Sequence, residues 1–273
     1  MVASMTSGNV INFGTMTKPF HAGLAARNAV EAAQWAGRGF TANKQAFDGK
    51  RAFQNVYNHA LRSDMSPLKD LGKTYELEVA GIVIKPQPCG VASHPAIDAA
   101  LHMREVEGIK PEDVESMRIG VTEYTYDKLA YHKPKTELEA KFSIAYPAAR
   151  MLVDGKLSLW TFSEDAIHDK VVSDLIDRTE MYEDAEIQKN WIPCTCRPCR
   201  LIVKTKDGRT LEKLVEISRG NPENQLTREE LHAKFRDAAK LSLKDNAIEQ
   251  AIDMLDTIET LDSVVPLNEL LGG

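Results

Sequence analysis

Four cysteines in 273 residues are too few to staple a chain of this length, which excludes a disulfide scaffold and fits a reducing compartment. No apolar run is long enough to span a bilayer, and no secretory apolar segment stands near the start. A basic surplus is also missing. Lys and Arg number 34 against 40 Asp and Glu, for a net charge of −6. Bulk electrostatics therefore gives no case for nucleic acid, and any anion site must be local. Internal repeats and low-complexity tracts are absent.

What is present is ordinary for a soluble protein, with a hydrophobic share of 43% and a charged share of 27%. The length suffices for one large or two modest domains. Leu24 to Ala36 predicts a buried, Ala-dominated helix stopped by Gly37 and Gly39. Residues 43–62 predict a second helix plus a loop, and Ser63 to Lys73 a polar connection. Tyr75 to Lys85 is β-like, with Val79, Ile82, Val83 and Ile84 as its apolar part. A helix is expected from Ala96 to Glu107, a short helical turn at Pro111, and a half-buried strand carrying Met117, Ile119 and Val121. Ser143, Pro147 and Gly155 frame a helix whose proline falls in the first turn. Ser163 caps one helix running through Ile167, Val171, Leu175 and Ile176. Residues 200–217 read as a hairpin turning at Asp207-Gly208. Thr227 and Glu230 form a capping box, and Ile248, Ile252, Leu255 and Ile258 mark the last helix.

Chemistry concentrates from Ile84 to Asp98, which reads Ile-Lys-Pro-Gln-Pro-Cys-Gly-Val-Ala-Ser-His-Pro-Ala-Ile-Asp. Pro86 and Pro88 impose a rigid, extended corner. Pro95 suits the first position of a helix, which makes Ser93 or His94 the cap. Lys85 and His94 thus stand at the two mouths of one loop, beside free helix N–H groups that suit a carboxylate or phosphate.

This loop resembles the "K-P-x-P-C … [ST]-H-P-A-I-D" run of the MmgE/PrpD family, which includes 2-methylcitrate dehydratases, cis-aconitate decarboxylases and iminodisuccinate epimerases. Three other stretches match the family in order and spacing: Asn12 to Gly23, Glu139 to Tyr146, and Gly220-Asn221-Pro222 with Leu226-Thr227 and Lys234-Phe235. The resemblance implies an α+β fold. A mostly helical domain (1–74) is interrupted by an α/β lid (75–218), and C-terminal helices (219–273) return to the first domain. It also implies a di- or tricarboxylate substrate held in the cleft between the two, no metal or organic cofactor, and a homodimer formed through the helical domain. The expected location is the cytoplasm, or the mitochondrion for a eukaryotic source. The stretch before Glu31 lacks acidic residues, as a transit peptide would, but it coincides with the family's own core sequence. Family members carry a large helical region ahead of the first motif. The chain therefore corresponds to the C-terminal part of the pattern, and a second reading is a truncated, inactive member that binds a carboxylate or a partner chain.

Family chemistry moves a proton next to a carboxylate, which needs a base, an acid and cations that hold carboxylates and steady an enolate-like charge. The resemblance makes Lys18 and His21 substrate ligands, Lys85 both ligand and catalytic group, His94 an acid/base, and Tyr146 a proton donor or carboxylate ligand. Each has a structural alternative: a surface lysine for Lys18, a capping or core-edge histidine for His21, an N-cap for His94, and core packing for Tyr146. Ser143 reads as a helix cap rather than a nucleophile. Gly90 stands where decarboxylase-like members can hold a histidine and cannot transfer a proton, and the strict 2-methylcitrate branch has a different loop here. Cys194, Cys196 and Cys199 crowd one loop while Cys89 is far off in sequence, a poor match to the paired ligands of a structural zinc site.

Overall fold

The structure, a computed structural model, describes residues 1–6, 8–12, 15–47, 51–57, 69–129, 131–192 and 196–272, the side chains at 10, 54 and 76 excepted. Phe13, Gly14, residues 58–68 and Cys194 lie outside the described residues. The chain divides into two compact units, Met1–Gly81 and Ile82–Gly273.

The first unit is helical, with α1 (Thr17–Gly37), α2 (Phe53–Tyr57) and α3 (Glu76–Val79). Helix α1 begins earlier than its Ala-rich core suggested, so Lys18 and His21 lie within its first five residues and not in a loop. Pro19 permits this because the first N–H groups of a helix have no partner to lose. The helix is also not buried. Asn28 and Ala32 are its buried residues, whereas Phe20, Val30 and Trp35 are exposed. Its neighbours in this unit include the short 3-10 turns Val2–Ser4 and Val10–Asn12, which cover a narrow strip where Asn28 Nδ2 donates to the Met5 carbonyl at 2.7 Å.

The β-like run from Tyr75 to Lys85 does not form a strand. Its first part is α3 and the rest is irregular, with Leu77, Val79, Ile82 and Val83 exposed. Its one long-range backbone bond among the described residues is Ile84 N–H to the Gly220 carbonyl, at 2.8 Å. β-Branched composition favours a pleated surface only where another strand supplies the ladder.

The second unit is a mixed sheet under a layer of helices. In order it contains α4 (His94–Glu105), β1 (Val114–Val121), α5 (Glu123–Lys128), α6 (Glu137–Lys141), α7 (Ala145–Asp154), α8 (Glu164–Ile167), α9 (Lys170–Asp177), β2 (Thr179–Glu183), α10 (Ala185–Asn190), β3 (Cys199–Thr205), β4 (Thr210–Val215), α11 (Arg228–Ala239), α12 (Asp245–Asp256) and α13 (Val265–Gly272). Sheet order is β2-β1-β3-β4, with β1 and β2 parallel and the other pairs antiparallel. The parallel pair requires the long helical crossover between β1 and β2.

Alternation decides which face of the sheet is covered. Met117, Ile119, Val121, Cys199, Leu201 and Val203 are buried against α4, α7 and α9. The opposite face is polar: Arg118 pairs with Glu180 at 2.9 Å, and Arg200 gathers Asp184, Glu186 and Glu212. Arg104 ties α4 to α7 by donating to the Leu152 and Val153 carbonyls at 2.7 and 2.8 Å, just before Gly155 ends α7 in the left-handed conformation.

Three expectations need correction. The Ser163 helix is two helices, because Asp169 Oδ1 takes the N–H groups of Val171 and Val172 and restarts the chain as α9. The hairpin turns through three residues rather than two, since Thr205 N–H bonds the Arg209 carbonyl and Gly208 adopts φ +89°. Ile258 lies in a 3-10 turn after α12, and α13 follows it. The capping box at Thr227 and Glu230 is present, and Ser143 Oγ accepts the Tyr146 N–H at 3.1 Å, as a cap would.

Candidate active site

The Lys85–Asp98 corner is built by contacts from distant parts of the second unit. On one side, Ile84 N–H reaches Gly220 at φ +89°, in a turn where Gly220 N–H bonds the Asn224 carbonyl and Asn221 Nδ2 bonds the Ser218 carbonyl, each at 2.8 Å. A Cβ at residue 220 would collide with the Ile84 carbonyl oxygen. On the other side, Gly90 N–H donates to the Lys141 carbonyl at 2.7 Å, and Ser93 Oγ lies 3.3 Å from the Ser143 carbonyl. Below, Asp98 of α4 accepts the Arg219 N–H at 2.7 Å. Three of the four motif stretches therefore meet around one loop. The fourth, containing Lys18 and His21, belongs to the first unit, where the half-buried His21 ring lies near Gly8.

His94 is 1% exposed and fully engaged. Its Nδ1 lies 3.1 Å from the carbonyls of both Gly90 and Val91, and its Nε2 faces the Gln87 N–H at 3.4 Å. These partners select the neutral Nδ1–H tautomer. Burial is the first cause holding His94 below its ordinary value of 6.5, and the nearby Lys85 charge adds to it, while the backbone bonds oppose both. The neutral imidazole is thus favoured, by desolvation before electrostatics.

A group with a depressed histidine pKa contributes stability that is complete above the unfolded value and declines as pH falls below about 6.5. Thermal melts between pH 7.5 and 5 should therefore show a loss of melting temperature on acidification. His94→Asn, whose amide N–H can still face the Gly90 and Val91 carbonyls, should flatten that slope. An identical slope in the variant would remove His94 as the source.

Lys85 is exposed at the entrance to the corner. Tyr146 has no exposed surface. Its hydroxyl donates to the Thr161 carbonyl, its ring packs on Phe162 with centroids 5.6 Å apart, and burial pushes its pKa up to about 12. Cys89 is buried next to Ser93 and is likewise pushed up to about 12, so it is a thiol and not a thiolate. Cys199 is buried within β3, and Cys196 Sγ donates to Asn221 Oδ1 at 3.3 Å. Among the described residues no three His, Cys, Asp or Glu side chains are grouped to hold a metal.

From sequence Asp98 and Gly220 carry no separate role and Ser93 only that of a candidate cap, although all three brace the loop. The motif contained them, but a brace is defined by its partner, and the partners lie 50 to 136 residues away.

The chain belongs to the MmgE/PrpD family: the MmgE/PrpD C-terminal domain matches residues 88–259. Over its whole length it is 26% identical to the cis-aconitate decarboxylase of Homo sapiens and 25% identical to that of Mus musculus. It spans about half, 56%, of the length of these curated relatives. No helix among the described residues is long and apolar enough to cross a membrane.

Proposed function

We propose that the chain serves a cofactor-independent lyase or isomerase reaction on a small di- or tricarboxylate, with the Lys85–His94 loop as its reactive element. The observation that carries this reading is the bracing of that loop by Gly220, Lys141 and Ser143, residues of or beside the other family motifs. A loop fixed from both sides holds a cation without reorganisation, which is what stabilising a developing enolate-like charge requires.

In this reading Lys85 binds a substrate carboxylate and steadies the charge formed on proton removal. His94 is neutral, and Nε2 carries the lone pair that can receive a proton once the long Gln87 contact yields. Tyr146 supports α7 from within the core. Lys18 and His21 lie near the start of α1 in the first unit, and their role as substrate ligands rests on the family resemblance alone. The likeness to cis-aconitate decarboxylases makes cis-aconitate the first compound to try, while Gly90 in place of a proton-transferring side chain favours dehydration or epimerisation over decarboxylation.

The test is proton exchange. The chain is incubated in D2O with a panel of di- and tricarboxylates including cis-aconitate, and proton NMR follows exchange next to the carboxylates and the appearance of products. The expected result is exchange with at least one member, abolished in Lys85→Ala. Absence of exchange and of product across the panel would refute the proposal for this chain.

A further inference from the structure

The turn after β4 is held from two directions through one residue, Arg219. Its backbone N–H donates to Asp98 Oδ2 on α4 at 2.7 Å. Its half-buried side chain is anchored elsewhere. Nη1 donates to Asn224 Oδ1 at 3.1 Å and to the Gln225 carbonyl at 2.6 Å, and Nη2 donates to the Glu230 carboxylate of α11. Glu230 also accepts the Thr227 N–H at 2.7 Å, so it is fixed by the capping box that starts α11. Asp98 is fixed by the helix that carries it, since Ala96, Ile97, Ala99 and Ala100 of α4 are buried in the core. All of these residues belong to the second unit.

Arg219 is joined to Gly220, whose carbonyl accepts the Ile84 N–H at 2.8 Å, and Ile84 is joined to Lys85. The Gly220 contact is tight, because a Cβ there would fall 1.9 Å from the Ile84 carbonyl oxygen. A displacement of the turn is therefore passed to the Lys85 backbone and not absorbed by a gap. Asp98 stands one helical turn after His94 on α4. Both members of the Lys85–His94 pair are thus referenced to one helix, His94 directly and Lys85 through Asp98, Arg219, Gly220 and Ile84. The pair is close enough for the Lys85 charge to be felt at the imidazole. Burial is the first cause raising the Asp98 pKa, and the Arg219 N–H is the first of those opposing it, so the carboxylate depends on this contact.

We propose that Arg219 is a positioning residue for Lys85, clamping the turn between α4 and α11 so that the ammonium is held at a fixed place beside His94. The proposal rests on the reaction assigned above to Lys85. Arg219 acts through the backbone of Gly220 and Ile84, so its effect falls on rate more than on affinity. A lysine on a loosened loop still attracts a carboxylate, because its charge and its flexible reach remain. Stabilising a developing charge requires the cation to be in place beforehand, and a misplacement of about 1 Å costs up to about 100-fold in rate. Removal of Lys85 itself gives the opposite pattern, a loss of binding.

Two readouts separate this role from simple support of the fold. One is amide hydrogen exchange at Ile84, followed by NMR. The other is proton exchange of cis-aconitate, or of whichever carboxylate in the panel exchanges fastest. In Arg219→Ala, exchange at Ile84 should quicken about tenfold, as for the loss of roughly one hydrogen bond. Substrate exchange at saturation should fall about tenfold or more, while affinity changes by less than about threefold. Asp98→Ala should repeat both effects, and Asp98→Asn, which keeps an oxygen for the Arg219 N–H, should recover most of the loss. Arg219→Lys should recover only part, since one ammonium cannot serve Asn224, Gln225 and Glu230 as the planar fork does. Arg236→Ala is the control. It breaks a two-point pair with Glu249 between α11 and α12, both bonds 2.6 Å, and should lower the melting temperature without quickening Ile84. Unchanged Ile84 exchange in Arg219→Ala, equal effects of Ala and Asn at Asp98, the same loosening in Arg236→Ala, or affinity falling as far as rate would each overturn the proposal. If no panel compound exchanges with the unaltered chain, the reaction assigned to Lys85 falls, and quickened Ile84 exchange in Arg219→Ala still establishes the clamp.

Discussion

Lys85→Ala should weaken binding of cis-aconitate by about 10- to 150-fold, the equivalent of roughly 1.5–3 kcal/mol for a hydrogen bond to a charged group. The loss should leave stability almost unchanged, because Lys85 is exposed and its removal opens no space in the core. Lys85→Arg should recover part of the affinity by keeping the charge, but not all of it, since a planar fork does not replace a compact ammonium. Titration calorimetry supplies the affinities and a thermal melt the control. Unchanged binding in both Lys85→Ala and Lys18→Ala would remove both lysines from the site.

Gly220→Ala should have the largest effect on folding. At φ +89° a side chain costs about 1–2 kcal/mol. Here the added Cβ also drives into the Ile84 carbonyl oxygen, so the Ile84–Gly220 bond must break and the segment leading into Lys85 must move. The sum is about 3 kcal/mol or more, roughly a 6–12 °C fall in melting temperature for a unit of this size. Gly108→Ala is the comparator, because Gly108 also has a positive φ of +68° but nothing lies within 4 Å of its Cβ position. It should lose only the conformational share. If the two variants melt alike, the close approach of Ile84 to Gly220 does not matter for stability. If Gly220→Ala folds normally and still binds cis-aconitate with full affinity, the bracing of the Lys85 loop is not what prepares the site.

These two predictions differ in how far the sequence alone could reach them. Lys85 was singled out by its neighbours in the chain, two prolines and a helix start. Gly220 stood in a motif without a stated reason, and the reason is a carbonyl group 136 positions away. Local signals were dependable where the physics is local. The Thr227 capping box, the Gly155 stop and the alternation of β1 and β3 each depend on groups within a few residues or on a simple period. They failed where a partner was required. Residues 77–84 are rich in strand-forming side chains, yet without a neighbouring ladder they form the end of α3 and then irregular chain, with Leu77, Val79, Ile82, Val83 and Ile84 exposed. The reverse holds for β2, whose Thr-Glu-Met-Tyr-Glu sequence carries little strand signal but pairs in parallel with β1 along five positions.

The sequence by itself determined the family, the secondary structure that depends on caps and periods, and the residues to suspect at the Lys85 corner. Tertiary structure decided which of those residues are spent on the fold. Tyr146 and His94 look equally available as letters in a motif, but burial commits the phenol to a carbonyl and the imidazole Nδ1 to two carbonyls of one loop, leaving Nε2 with only the long Gln87 contact. The reason is desolvation, because a polar group removed from water must find a partner inside, and the identity of that partner is set by packing across the whole unit.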